Sequence, residues 1–195
     1  MFWLGLIYRR GDRMFVVLIS GKAGHGKDTF ALYFKEIAEQ DGKKVLIIKY
    51  GDILKYVLRQ YYNWDGNKDE AGRELLQRVG TDIFRVNNPD TWVNCVIEIV
   101  KGFGSTYDYV LVPDVRFPNE INNWMGSYMD FSTVRINRYN SDGTLFDNQD
   151  LTTEQKKHIS EVALDDYIFD YVVNNFELEE LKQKAEEIYE EVKKF

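Results

Sequence analysis

Short apolar runs alternate with longer segments of helical periodicity along the chain. Apolar runs predict five buried β-strands, at 14–20, 44–48, 109–112, 133–137 and 171–173. After the first run, apolar residues recur at helical spacing, and Asp41-Gly42 ends this predicted helix before the second run. Short apolar strands that alternate with helices are typical of a mostly parallel sheet covered on both faces. The pattern therefore predicts an α/β three-layer sandwich with a mostly parallel five-stranded sheet.

The remaining segments complete this outline. A long helical region is predicted from about residue 53 to 102, with interruptions at 63–68 and 87–90, and a helix with one apolar stripe is predicted from Glu177 onward. Residues 139–157 are polar, contain Asp142-Gly143 and predict a lid-like loop. Residues 1–13 form either an N-terminal extension or an added hairpin strand, because the turn-like Arg9-Arg10-Gly11-Asp12 separates two apolar runs.

Composition narrows the class of protein. With 195 residues and 44% apolar residues, the chain can fill one core, so we predict a single domain over 1–195. A net charge of −7 disfavours a nucleic-acid polymer as partner. No apolar run approaches the roughly 20 residues of a membrane span, and Phe2 to Tyr8 lacks the flanks of a secretory signal. The single cysteine, Cys95, predicts a buried structural thiol in a reducing compartment, the cytoplasm.

The first apolar run leads into a glycine-rich loop. Residues 21–27 match the pattern G-x-x-x-x-G-K, directly after a predicted strand and at the start of a predicted helix. Glycines let backbone N–H groups approach a phosphate chain, and Lys27 can neutralise the β- and γ-phosphates. The sequence therefore predicts an ATP-binding P-loop with Lys27 as a catalytic residue. The candidate ATP-binding residues are Gly21, Ala23, Gly24, His25, Gly26, Lys27, Asp28 and Thr29.

The loop departs from the usual pattern at the position that follows its lysine. Asp28 stands there, and the hydroxyl expected to bind Mg²⁺ comes one residue later, at Thr29. Asp28 either orients the water shell of the metal or favours the positive end of the helix. We predict ATP and Mg²⁺ as cofactors, with Thr29 as a metal ligand.

Four blocks of sequence together resemble a known family. They are Gly26-Lys27-Asp28-Thr29, the segment 76–82 (LQRVGTD), the segment 107–116 (YDYVLVPDVR) and His158-Ile159-Ser160-Glu161. Their order and spacing are similar to those of the deoxynucleoside monophosphate kinases best known from tailed bacteriophages, which have the P-loop nucleoside monophosphate kinase-like fold. The resemblance covers the chain from about Phe15 to its C-terminus. It implies a deoxynucleoside monophosphate pocket that contains Arg73, Gly80, Thr81, Trp92, Asp114, Arg116 and Glu120, with Lys55 near its entrance; a host cytoplasm is implied if a phage encodes the chain.

The residue pattern itself supports part of this pocket. Arg73, Gln77 and Thr81 are spaced i, i+4, i+8 on one polar helical stripe, which suits the phosphate of an acceptor. A second stripe of Leu75, Val79 and Ile83 can face the core.

A second group of candidates follows the third predicted strand. Asp114 comes at the carboxyl end of that strand, where it can hold Mg²⁺ through water or accept a hydrogen bond from the substrate. The planar fork of Arg116 matches phosphate oxygens. Glu120 either pairs with Arg116 along a helix or contacts the sugar or base of the acceptor, and Trp92 either packs in the core or stacks on a base. Asp114 and Arg116 are candidate catalytic residues.

Two further features lie near the predicted lid. Arg135 and Arg138 flank its start, and we favour Arg138 as the catalytic cation that a closing loop brings to the transferring phosphate. His158 has no second histidine at ligand spacing, so its segment is predicted to cap a helix or anchor a loop.

These features predict a deoxynucleoside monophosphate kinase that transfers the γ-phosphate of ATP to a dNMP and gives dNDP and ADP. Two alternatives stay open: a P-loop kinase for another small acceptor, such as a sugar acid or dephospho-coenzyme A, and a nucleotide-dependent ATPase switch. The sequence also leaves open whether the chain forms a homodimer.

Overall fold

The computed structural model describes residues 14–195, and these form one parallel sheet with helices on both faces. The strands are β1 (Phe15–Ser20), β2 (Val45–Ile47), β3 (Tyr109–Val115), β4 (Asp130–Arg138) and β5 (Tyr171–Asn175). Their order in the sheet is β2-β3-β1-β4-β5, and each neighbouring pair is parallel. The predicted five-stranded α/β fold is confirmed.

Helices connect the strands and cover the sheet. They are α1 (Lys27–Gln40), α2 (Tyr50–Tyr61), α3 (Glu70–Gln77), a π-helical segment (Arg78–Ile83), α4 (Phe84–Asn87), α5 (Thr91–Phe103), a short 3₁₀ turn (Gly104–Thr106), α6 (Asn119–Met125), α7 (Thr153–Lys157), α8 (Ile159–Val162) and α9 (Leu178–Val192). Helices α1 and α9 pack together on one face, and α5 packs against α2 and α6 on the other.

The central strand β1 shows why the chain folds into three layers. All six of its residues are buried, and successive side chains point to opposite faces. Val17 and Ile19 join the core under α1 and α9, whereas Val16 and Leu18 join the core under α2, α5 and α6. A strand without a polar face must be covered on both sides, which places β1 in the middle of the sheet.

The structure corrects several local expectations. Strand β3 continues to Val115, so Asp114 belongs to the strand instead of following it. Cys95 is exposed on α5, so the prediction of a buried thiol is wrong. Ile83 is 38% exposed because the π-helical segment adds a residue per turn and moves it off the core stripe of Val79.

Two other expectations concern the ends of elements. The polar segment 139–157 ends in α7, whose Thr152 and Gln155 form a capping box. The hairpin or extension predicted for 1–13 lies outside the described residues, and the single-domain organisation of 1–195 stays a prediction. Within residues 14–195, no helix has the length and apolar character that a membrane span needs.

Candidate active site

A cavity of about 440 Å³ opens at the carboxyl ends of β1 and β3. The glycine loop forms one side of it through Ala23, Gly24 and Lys27. The other side carries the predicted acceptor residues Lys55, Arg73, Gln77, Gly80, Thr81, Trp92, Asp114, Arg116 and Glu120. The predicted ATP-binding residues and the predicted acceptor residues thus line the same cavity, although they lie far apart in the sequence.

The glycine loop has the backbone geometry that its sequence predicts. Gly21 has φ +149°, and a Cβ there would lie 2.5 Å from the carbonyl oxygen of Ile136, so a side chain would collide with β4. Gly26, the N-cap of α1, has φ +99°, a left-handed conformation that favours glycine. The loop therefore turns sharply enough to direct backbone N–H groups and the N-terminus of α1 toward the cavity.

Lys27 lies folded within this loop. Its Nζ donates hydrogen bonds to the carbonyl oxygens of Gly21, at 2.7 Å, and Lys22, at 2.9 Å. Burial, together with the nearby positive charge of Arg116, lowers the pKa of Lys27 to about 8. An anion in the cavity would stabilise the charged form of Lys27 against both effects, so the site favours a negatively charged ligand.

His25 fastens the loop to the segment that follows β4. Its Nε2 donates to the carbonyl oxygen of Phe146, at 3.1 Å, and its Nδ1 accepts from the backbone N–H of Arg138, at 3.3 Å. Burial lowers the pKa of the imidazole, which fits this neutral tautomer. The side chain of His25 thus has a structural role, and any contact with ATP must come from its backbone.

The two candidates after Lys27 differ in position. Asp28 lines the cavity and pairs with Lys49 Nζ at 2.7 Å, while its side chain is 68% exposed. Thr29 lies in the first turn of α1 and is not a lining residue. The structure therefore brings Asp28 to the cavity and leaves the predicted metal ligand Thr29 away from its wall.

Asp114 is held by the start of α2. Its Oδ1 accepts from the backbone N–H of Tyr50, at 3.0 Å, and its Oδ2 from that of Gly51, at 2.8 Å. Burial raises the pKa of the Asp114 carboxyl, although these two donors favour its charged form. Each oxygen keeps a lone pair for another contact, so the carboxylate fits a water of a hydrated Mg²⁺. Among residues 14–195 no group of three or more His, Cys, Asp or Glu side chains could enclose a metal ion.

Arg116 leaves β3 and lines the centre of the cavity. Its Nη1 donates to Oε1 of Glu161 and to the carbonyl oxygen of Ser160. The other oxygen of Glu161, Oε2, accepts from the backbone N–H of Ala23 at 3.1 Å. A carboxylate from α8 therefore bridges the guanidinium and the glycine loop.

Glu120 does not pair with the guanidinium of Arg116 along a helix, and its contact with the acceptor stays a prediction. Its side chain lines the cavity but is fully buried, and its Oε2 accepts from the backbone N–H groups of Arg116 and Phe117 instead of pairing with the guanidinium of Arg116. Its Oε1 pairs with Nη2 of Arg85 at 2.6 Å, and burial raises the pKa of its carboxyl. Glu120 thus fixes the main chain that carries Arg116.

The polar stripe of α3 faces the cavity, as its spacing predicts. Arg73 and Gln77 lie on α3, and Thr81 lies in the π-helical segment beyond it. Arg73 has no ion-pair or side-chain hydrogen-bond partner among residues 14–195. Lys68, which also lines the cavity, shares that property, and burial and the charges of Lys55 and Arg73 lower its pKa. Such cations in a chain of net charge −7 indicate a site for an anion.

Gly80 and Trp92 form an apolar corner of the cavity. A Cβ on Gly80 would lie 2.6 Å from Cδ2 of Leu54, so a larger residue there would have to displace that side chain. Trp92 is 2% exposed, donates from Nε1 to the carbonyl oxygen of Gly80 at 2.9 Å, and packs against Phe84. The indole is mainly a core residue that offers one edge to the cavity.

The predicted lid arginines lie at the margin of the site. Arg138 is exposed, stacks over Phe146 at 4.2 Å and does not line the cavity. Arg135 pairs with Asp165 at 2.9 Å. His158 accepts from the backbone N–H of Ser160 and caps α8, so its predicted capping role is confirmed.

Sequence reasoning missed three positively charged residues that line the cavity, Lys49, Lys68 and Arg85. Arg85 continues the i+4 stripe one step beyond Thr81, so an extended count would have found it. The two lysines carry no distinctive spacing and become recognisable only through the fold. Glu161 belonged to a recognised block, but nothing in the sequence indicated that its carboxylate reaches the glycine loop.

Solved structures show the same fold. The APS kinase CysC of Mycobacterium tuberculosis, in a complex with AMPPNP and APS, aligns with TM-score 0.53 and 15% identity over 93% of this chain and 98% of its own. The hexameric APS kinase of Thiobacillus denitrificans aligns with TM-score 0.50 and 14% identity over 93% of this chain and 30% of its own. These similarities establish a P-loop kinase fold.

Comparison by sequence gives the family. No curated protein matches the chain. A family model described as deoxynucleotide monophosphate kinase matches residues 36–185, which is more than half of the sequence. This match confirms the resemblance found in the sequence blocks. The chain belongs to the deoxynucleotide monophosphate kinase family and is an ATP-dependent phosphotransferase.

Proposed function

We propose that the protein transfers the γ-phosphate of ATP to a deoxynucleoside monophosphate in the cavity between the glycine loop and α3. The observation that supports this most directly is that one cavity is lined by Lys27 on one side and by Arg73 and Thr81 on the other. A kinase for a phosphorylated acceptor needs two anion sites side by side, because donor and acceptor phosphates must lie in line.

The donor side follows from the loop. Backbone N–H groups of residues 21–28 and the ammonium of Lys27 bind the triphosphate, and the N-terminus of α1 adds positive potential. A bound Mg²⁺ would neutralise charge on the transferring phosphate. Of the two predicted metal residues, Asp114 has the better position to hold a water of the ion, because Thr29 is not a lining residue.

The acceptor side has matching charge. Arg73 and Lys68, which lack ion-pair partners among residues 14–195, seat the monophosphate, and Lys55 adds a further positive charge to the cavity wall. The second pKa of a phosphate monoester is about 6, so the attacking oxygen is already deprotonated at neutral pH and needs no general base. Asp114 therefore positions the reactants instead of removing a proton. Arg116 contacts both the transferring phosphate of ATP and the phosphate of the acceptor.

A panel of nucleoside monophosphates tests the proposal. Purified protein with ATP and Mg²⁺ should release ADP with at least one dNMP and form the matching diphosphate, measured by coupled ADP detection and chromatography. The ribonucleotide counterparts, sugar acids and dephospho-coenzyme A serve as competing acceptors. ADP release without acceptor, at the same rate as with every dNMP, would contradict the proposal and favour an ATPase switch.

The cytoplasmic location stays a prediction.

A further inference from the structure

Helix α8 places a carboxylate at the centre of the site. The side chain of Glu161 is only 9% exposed and contacts both the backbone N–H of Ala23 and the guanidinium of Arg116. Its negative charge also acts on the ammonium of Lys27. One anionic group therefore contacts a loop amide and a guanidinium and acts electrostatically on a nearby ammonium.

Backbone amides, guanidinium groups and ammonium groups are the donors that proteins use to bind phosphoryl groups. Loop amides and cations that converge on one point form an anion site, and a carboxylate and a phosphoryl group both present oxygens that accept from such donors. The amide of Ala23 has one hydrogen and donates fully to one acceptor. Glu161 and a phosphate of ATP therefore cannot hold that donor together, and their like charges repel.

The segment that carries Glu161 is anchored beyond it by Leu164, which is 3% exposed in the core, and by the ion pairs of Asp165. Asp165 pairs with Lys22 at 3.0 Å and with Arg135 at 2.9 Å, and its side chain is 36% exposed. The pair with Lys22 is partly exposed on both sides and contributes about 0–1 kcal/mol, whereas the side chain of Arg135 is only 12% exposed. Leu164 and the ion pairs of Asp165 can therefore keep the segment attached while the side chain of Glu161 alone turns away from Ala23 and Arg116.

We propose that Glu161 occupies the place of the phosphoryl group to be transferred and yields that place to ATP. The carboxylate keeps Arg116 neutralised and oriented when no phosphate is bound, and each incoming triphosphate must displace it. Residue 161 thus sets the affinity of the loop for a third phosphate. This proposal rests on phosphate binding by the glycine loop and not on which acceptor is used.

Titration calorimetry with Glu161→Gln tests the competition without any acceptor. The variant keeps the shape of the side chain and removes its charge, so a non-hydrolysable ATP analogue and inorganic tripolyphosphate should each bind about tenfold more tightly, the size expected for losing one charge-assisted competitor. ADP, which lacks the transferred phosphate, should gain far less. If ADP and the ATP analogue gained the same affinity, Glu161 would not occupy the position of the transferred phosphoryl group.

Asp166→Asn is the matched control. Asp166 is exposed, lies in the same segment, and its substitution makes the same change in net charge without touching the cavity. Its binding of the ATP analogue and tripolyphosphate should stay at the wild-type value. If Glu161→Gln binds both no more tightly than this control, Glu161 does not compete with phosphate.

A shorter carboxylate keeps the question testable if Glu161→Gln does not fold. Glu161→Asp retains the charge but draws it back from Ala23 and Arg116, so its affinity for tripolyphosphate should lie between those of the wild type and the expected glutamine value. An affinity equal to or weaker than that of the wild type would overturn the proposal. Because these measurements use no dNMP, they can succeed even if the proposed acceptor is wrong.

Discussion

The two sides of the cavity are built in different ways. The donor side comes from residues 21–28, which are consecutive, and it binds mainly through backbone N–H groups. The acceptor side uses side chains from α2, the loop before α3, α3, the π-helical segment and β3. A backbone site tolerates changes in most of its side chains, whereas a side-chain site depends on each residue and on the supports behind it. Substitutions on the two sides should therefore differ in kind as well as in size.

The largest effect should come from Lys27 on the donor side. Lys27→Ala removes the cation that neutralises the transferring phosphate, so kcat should fall by about 10³-fold with every acceptor. Lys35→Ala, on the outer part of the same helix, should leave kcat unchanged. Steady-state kinetics with several dNMPs check this. A fall in kcat with only one acceptor would contradict the assignment of Lys27 to the donor side.

Glu120 tests the supports behind the acceptor side. Glu120→Gln leaves the largely buried charge of Arg85 without its partner and weakens the anchor of the Arg116 main chain. Breaking such a pair should lower the free energy of unfolding by about 3 kcal/mol, measured by urea denaturation. Glu98→Gln, on an exposed face of α5, is the control. A change below that of the control would show that Glu120 is not a support.

Arg73 tests the acceptor side itself. Arg73→Ala removes a cavity cation that has no ion-pair partner among residues 14–195, so it should raise KM for the dNMP by about tenfold and leave KM for ATP unchanged. Arg78→Ala, an exposed arginine in the next turn, should change neither constant. Equal rises in both constants for Arg73→Ala would contradict a division between donor and acceptor sides.

The smallest effect should be the response of the donor side to pH. The pKa of Lys27 is about 8, and bound phosphate must raise it because an anion favours the charged form. Below pH 8 the lysine is already charged; above pH 8, ATP binding should take up a proton and weaken by at most about tenfold per pH unit. Calorimetry in buffers of different ionisation enthalpy measures this uptake. Lys27→Arg stays charged throughout and should show none.

Local patterns carried much of the fold and the donor side. Alternating apolar runs predicted five strands and their helices, because burial on both faces of a parallel sheet leaves a continuous apolar signature. The glycine loop was legible because its geometry depends on neighbouring residues. Less local features failed: Ile83 was placed in the core because a π-helical turn leaves no sequence signal, and Cys95 was predicted to be buried although its position on α5 faces outward.

The sequence by itself determined a parallel α/β sheet, a phosphate-binding loop and the polar stripe of Arg73, Gln77 and Thr81. Only the tertiary structure decided which distant groups meet: Asp114 with the amides of Tyr50 and Gly51, Glu120 with Arg85, and Glu161 with Ala23 and Arg116. The physical reason is that spacing along a chain specifies the face of a helix or strand, whereas contacts between elements depend on how those faces pack. The donor side could therefore be predicted from neighbouring residues, and the charge balance of the acceptor side required the fold.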